Sequence, residues 1–154
     1  MNIFRDPCLF LAFGFGAGLS PKAPGTLGTL VAVPFYLLLT RMDRWSYVSV
    51  VVLTALLGIW ICAQAAKKLG VHDHQGIVWD EMVGYWITMI AVPVSALTVL
   101  LGFILFRFFD IVKPWPIGEI DRKVTGGLGI MLDDIVAGLF SLVVIHLSLW
   151  IEII

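Results

Sequence analysis

The chain has 154 residues, 60% of them hydrophobic and 14% charged, with a formal net charge of −1. A soluble domain carries about 25% charged residues, and one of this length cannot hide so much apolar surface. A mean hydropathy of +0.99 therefore makes lipid part of the solvent. The near-neutral charge excludes nucleic acid as a partner, because phosphate binding needs a basic surface.

The length fits one membrane-embedded domain, 1–154. MNIFRDP places a charge pair and a proline before the first apolar run, with no small-residue cleavage site after it, so no signal peptide is expected. CLFLAFGFGAGL is short and glycine-rich and is expected at the interface or folded back. Cys8 and Cys62 lie in apolar surroundings and read as packing residues. Residues 26–40 span if the helix starts near Pro24, with Pro34 tolerated by its neighbours. Residues 45–66 carry no charge and span outright. From Met82 to Phe109 the run is too long for one span; Pro93-Val94-Ser95 is its natural turn. It divides into short spans at roughly 78–92 and 95–111. Residues 135–151 form the last.

The expected architecture is thus all-α, an integral membrane bundle of about five short helices, or four if 26–40 is re-entrant. Five spans put Lys22, Lys67, Lys68, Lys113, Arg122 and Lys123 on one side and only Arg41 and Arg44 on the other. The positive-inside rule makes the richer side cytoplasmic in a multi-pass protein. Trp45, Trp79, Trp115 and Trp150 fall near span ends, as interfacial aromatics do. Asp73, Asp80, Glu81, Asp110, Glu119, Asp121, Asp133 and Asp134 collect on the cytoplasmic side as well. Gly58, Gly84, Gly102 and Gly138 allow close helix contacts, within one chain or in a homo-oligomer.

Three polar clusters bear on chemistry. SPKAPGTLGT (20–29) combines stiffening prolines, close-approach glycines, the Thr26 and Thr29 hydroxyls and Lys22. A helix starting after Pro24 would aim free N–H groups at an anion, although taken alone the stretch reads as an ordinary capped turn. DHQGIVWDEMVG (73–84) puts Asp80 and Glu81 at a helix start, where the dipole explains one carboxylate better than two. His72 and His74 read as loop histidines and are left out of the site. RFFDIVKPWPIGEIDRKVTGGLGIMLDD (107–134) spaces Arg107, Asp110 and Lys113 along one helical face. A helix from Thr125 carries Asp133 and Asp134 into its third turn, too deep for capping. Charge inside a membrane helix is costly and marks function.

Jointly, Asp80, Glu81, Asp110, Asp133 and Asp134 would converge at one membrane face, and like carboxylates repel. A hard divalent cation such as Mg²⁺, held by Asp80, Glu81, Asp133 and Asp134, resolves the repulsion. Lys22, Thr26, Lys113 and Arg107 beside it make a phosphate site, and a lipid phosphate is the economical substrate.

The blocks GFGAGLSPKAPGTLGTL, IVWDEMVGYW and FRFFDIVKPWPIGEIDRKVTGGLGIMLDDIVAG resemble the bacterial phosphatidylglycerophosphatase A family across nearly the whole chain. The resemblance implies a Mg²⁺-dependent hydrolase of the bacterial inner membrane that works in phospholipid biosynthesis. It would convert phosphatidylglycerophosphate to phosphatidylglycerol and inorganic phosphate.

Metal-assisted hydrolysis of a phosphomonoester is then the expected mechanism, with Lys22, Lys113 and N–H groups of the 24–29 turn on the phosphate. Asp110 would be a ligand or orient Lys113, and Glu81 is the candidate base. Other phosphatase chemistries fit poorly: Cys62 has no arginine close behind it, and there is no DxD pair. His146 reads as a packed or hydrogen-bonded membrane histidine. Two other classes remain: a small ion-coupled transporter, which needs polar groups near mid-bilayer, and a metal-dependent phospholipid phosphotransferase, which needs a cytidine nucleotide.

Overall fold

The computed structural model describes residues 3–71 and 74–151; His72 and Asp73 lie outside the described residues. It is all-helical among them: α1 Pro7–Ala12, α2 Pro24–Leu39, α3 Arg44–Leu69, α4 Trp79–Thr88, α5 Ala96–Val112, α6 Ile117–Lys123 and α7 Gly126–Trp150, with 3₁₀ turns at Ile3–Arg5 and Gly14–Leu19.

Local chemistry sets the boundaries. Asp6 accepts hydrogen bonds from the N–H groups of Cys8 and Leu9 to start α1, and Asp43 does the same for Trp45 and Ser46 at α3. Ser95 and Thr98 form a reciprocal capping box at α5. Gly70 closes α3 in the left-handed conformation. The 8–19 run folds back, as expected of so short a stretch; Ala12 O accepts the N–H of Val78 at 2.8 Å, just before α4.

The expected spans correspond to α2, α3, α4, α5 and α7, with α1 and α6 as additional short helices. Two of the five, Arg44–Leu69 and Gly126–Trp150, are long and apolar enough to cross a membrane alone. The segment expected to span over 78–92 differs most. Its helix has 10 residues, about 15 Å of rise against a hydrocarbon core of about 30 Å. It needs no length because it meets no lipid: apart from Glu81, every residue of α4 is buried. The other helices wrap it.

Polar tips of aromatic residues tie α4 in place, as interhelical hydrogen bonds do in membrane bundles. Trp86 Nε1 donates to Ala32 O of α2 at 3.0 Å. Tyr47 of α3 donates to Trp86 O at 2.8 Å, and Tyr85 to Val99 O of α5 at 3.3 Å. Trp79, expected at the interface, is instead buried and donates to Thr54 O at 3.2 Å; its place in the first turn of the central helix turns it inward. Trp45, Trp115 and Trp150 are highly exposed at helix ends, as expected. His146 meets Ile90 O at 2.9 Å, and Cys8 and Cys62 are free thiols.

The four glycines act within the chain. A Cβ on Gly138 would stand 2.5 Å from Gly84 O, and one on Gly84 would stand 2.6 Å from Phe106 Cζ and 2.9 Å from Asp134 O. α4 and α7 therefore cross backbone to backbone. Gly58 similarly accommodates Met131 and Trp79, and Gly102 accommodates Met89.

The outer surface is apolar. On α5, Leu97, Leu100, Ile104, Phe108 and Ile111 are all more than half exposed at i, i+3, i+4 spacing, as are Leu53, Leu56 and Trp60 on α3 and Val143, Leu147 and Trp150 on α7. Such stripes would be costly in water and belong against lipid chains; this is a membrane protein. Helices alternate in direction, so one end of the bundle gathers the N-termini of α2, α4 and α7 and the C-termini of α3 and α5.

Candidate active site

That end encloses a cavity of about 330 Å³, lined by Ala23, Pro24 and Gly25 at the start of α2, Asp80 and Glu81 of α4, Arg107 and Asp110 of α5, Lys113 just past its end, Asp121 of α6, and Gly129, Ile130, Asp133 and Asp134 of α7, with Gln75, Ile77 and Val124. It is recessed. Asp134 is the ninth residue of α7, about 12 Å from the helix start, and Arg107 stands about 7 Å above the end of α5.

Asp80, Glu81 and Asp134 form the tightest group. Each offers an oxygen, and those atoms lie within 4.8 Å of one another. Asp80 and Asp134 are buried, and Glu81 Oε2 has no hydrogen-bond partner among the described residues. Three hard oxygen donors with an orphaned buried atom suit a divalent cation.

Asp133 and Asp134 part company. Consecutive helical residues project about 100° apart, so Asp133 turns from the triad to Lys113, with Oδ2 2.7 Å from Nζ. Its Oδ1 is buried without a partner among the described residues. Lys113 also meets Asp121 Oδ1 at 2.8 Å. Burial alone would lower the Lys113 pKa, but bonds to Asp121 and Asp133 outweigh it and hold the group above its usual value. Lys113 is therefore a standing cation. It adopts a left-handed conformation at the C-cap of α5, which breaks the helical face expected to join it to Asp110 and redirects it to α6 and α7.

Arg107 pairs with Asp110 and reaches Glu81 Oε1 at 3.8 Å, with its Nε buried and unpartnered among the described residues. Gly25 makes this packing fit: a Cβ there would overlap Glu81 Oε1 and stand 3.0 Å from Arg107 Nη1. As α2 begins at Pro24, Gly25 N–H belongs to the first turn, which has no intrahelical acceptor.

Seven sequence candidates thus meet in one cavity: Asp80, Glu81, Arg107, Asp110, Lys113, Asp133 and Asp134. Lys22, which is exposed, and Thr26, which is half-buried, are not on its lining. His74 accepts the Gly76 N–H on Nδ1 at 2.9 Å, the loop role expected of it. Sequence reasoning missed Gln75 and Asp121 as site residues. Asp121 sits on a short helix beyond the proline-bearing turn at 114–116, and only its charge, opposite to Lys113, signals it.

Six carboxylates against two cations leave the cavity with a formal excess of four negative charges. A cation bound there would offset part of that excess.

The family model described as Phosphatidylglycerophosphatase A matches residues 10–149. A phosphatidylglycerophosphatase A of Escherichia coli (strain K12) is 52% identical over 137 residues, covering 88% of this chain and 80% of its own length. One of Haemophilus influenzae (strain Rd) is 42% identical over 142 residues, covering 91% of this chain and 87% of its own. No solved structure gives a significant match. The matched region holds every helix that lines the acidic cavity, and the chain belongs to the phosphatidylglycerophosphatase A family.

Proposed function

We propose that the protein hydrolyses the terminal phosphomonoester of phosphatidylglycerophosphate, yielding phosphatidylglycerol and inorganic phosphate, with Mg²⁺ held by Asp80, Glu81 and Asp134. As a family member it is a phosphoric monoester hydrolase of phospholipid synthesis. The observation that carries the finer reading is the triad of carboxylate oxygens from two helices within 4.8 Å, inside a cavity with excess negative charge. Oxygen donors alone, with no histidine or thiol, favour Mg²⁺ over softer ions.

A bound divalent cation supplies charge neutralisation at the phosphoryl oxygens and Lewis acidity toward water. The chain's own residues do the rest. Lys113, fixed between Asp121 and Asp133, contributes a permanent positive charge to phosphate; its raised pKa suits electrostatics and not proton donation. Arg107, braced by Asp110, orients Glu81. The Gly25 N–H and the dipole at the start of α2 favour an anion. Glu81 is the candidate to take the proton of the attacking water, through the oxygen not committed to the cation.

The same reading places the site at the cytoplasmic face of a bacterial inner membrane in a multi-pass protein. The cavity end also carries Lys22, Lys67, Lys68, Arg122 and Lys123, whereas the far end carries Arg41 and Arg44. A transporter is disfavoured because the charged groups gather at one end and not at mid-bilayer.

The test is phosphate release by purified protein from phosphatidylglycerophosphate in mixed micelles, with Mg²⁺, with chelator and with a cytidine nucleotide. Turnover that needs Mg²⁺, stops with chelator, returns on re-addition and ignores the nucleotide is expected. Full turnover in excess chelator would overturn the metal assignment, and dependence on the nucleotide would favour the phosphotransferase.

A further inference from the structure

Beside the acidic cavity lies a second, of about 460 Å³, lined by Ser20, Pro21, His74, Gln75 and Gly76 among others. The two share a wall, since Pro24 and Gln75 line both. Lys22 sits on the ridge between them: Pro21 faces the second cavity and Ala23 the first.

The ridge is held in place. Ser20 Oγ donates to Lys22 O at 2.8 Å and accepts the Lys22 N–H at 3.3 Å. Pro21 and Pro24 flank the segment, and Ala23 is left-handed. Both backbone polar groups of Lys22 are thus engaged, while its side chain is exposed. A lysine on a pinned backbone beside an acidic cavity, but outside its lining, is placed to meet an anion that does not enter.

The proposed substrate has such an anion. Its headgroup carries two phosphates a glycerol apart: the terminal monoester, and the phosphodiester that joins the glycerol to the diacylglycerol. We infer that Lys22 and Gln75 bind the phosphodiester at the ridge between the two cavities, and thereby select glycerol-bridged lipid phosphates over lipids bearing a single phosphate. Lys22 provides the charge and Gln75 amide donors; Ser20 is a positioning residue. With the monoester in the first cavity, the phosphodiester lies a glycerol away and falls at the ridge outside it, so the two phosphates are read separately. The inference rests on the proposed substrate.

Lys22→Ala and Gln75→Ala test it, with Lys67→Ala, an exposed lysine at the same end, as control. KM and kcat are measured for phosphatidylglycerophosphate, with inhibition by glycerophosphoglycerol, which has the phosphodiester alone, and by inorganic phosphate. Lys22→Ala should raise KM and the glycerophosphoglycerol inhibition constant about tenfold, the size of one charge-assisted contact. Phosphate inhibition should move less than about twofold, the loss should fall in KM and not in kcat, and Lys67→Ala should move nothing. An equal rise in the phosphate inhibition constant would overturn the inference and assign Lys22 to the scissile group. Unchanged constants in both variants, or a wild type indifferent to glycerophosphoglycerol, would also overturn it. Failure of the wild type to release phosphate from phosphatidylglycerophosphate would instead refute the function on which it rests.

Discussion

Gly25→Ala separates the stability of this protein from its chemistry. Gly25 lies in the first turn of α2, and a methyl there would overlap Glu81 Oε1 and stand 3.0 Å from Arg107 Nη1. The helix itself gains from the change, by up to about 1 kcal/mol. Glu81 is a side-chain tip and can give way, so the fold survives. To clear the methyl its carboxylate must move by on the order of 1 Å, and misplacement of that size costs about 100-fold in rate, or about 2.7 kcal/mol of barrier. Thermal unfolding in detergent should therefore show a midpoint no lower than wild type, while phosphate release from phosphatidylglycerophosphate falls at least about 100-fold and needs more Mg²⁺. A Gly25→Ala protein with wild-type turnover and unchanged Mg²⁺ dependence would refute the placement of Glu81 at the reacting centre.

Asp134→Asn should lower turnover by more than about 100-fold and weaken the Mg²⁺ response. Asp133→Asn should leave the Mg²⁺ half-saturation within about twofold and raise KM about tenfold, because its partner is Lys113; Mg²⁺ titrations of the two variants compare them directly. Gly84→Ala should destabilise the bundle by about 1–3 kcal/mol, read as a lower unfolding midpoint, because its methyl meets Phe106 and Asp134 O. Asp6, bonded first to Lys68 at 2.5 Å, is held below its usual 3.8. Its contribution to α1 is present above pH 3.8 and is lost as pH falls through the lowered folded value; the protection of the Cys8 and Leu9 amides, measured relative to their intrinsic exchange rates, should fall on that acid limb and stay constant above it.

Five apolar segments, and most of their ends, were legible in the chain because the signals are local; the far end of the 78–92 segment was not, since its helix stops at Thr88. An uncharged run from Trp45, a proline at 24, a Pro-Val-Ser turn at 93–95 and glycines before Leu128 each act through neighbouring residues. Their alternation then placed the acidic clusters at one end without further information, since each crossing reverses direction. The depth of Asp133 and Asp134 along their helix followed from rise per residue alone.

The roles of those carboxylates did not follow, and the reason is geometric. Which way a side chain points depends on the partner helix, and that partner is distant in the chain, as Asp133 is from Lys113 and Asp134 from Asp80. Only packing parted Asp133, toward Lys113, from Asp134, toward Asp80 and Glu81. Only packing showed that α4 is a short central helix, that Trp79 is buried, and that Gly25 lies beneath Glu81. Composition and periodicity dictate what a segment buries and where it ends, because water, lipid and hydrogen-bond closure act residue by residue. The meeting of charges from different helices is a property of the assembled bundle, where backbone contacts at Gly84 and Gly138 bring α4 and α7 close enough for their carboxylates to share one site.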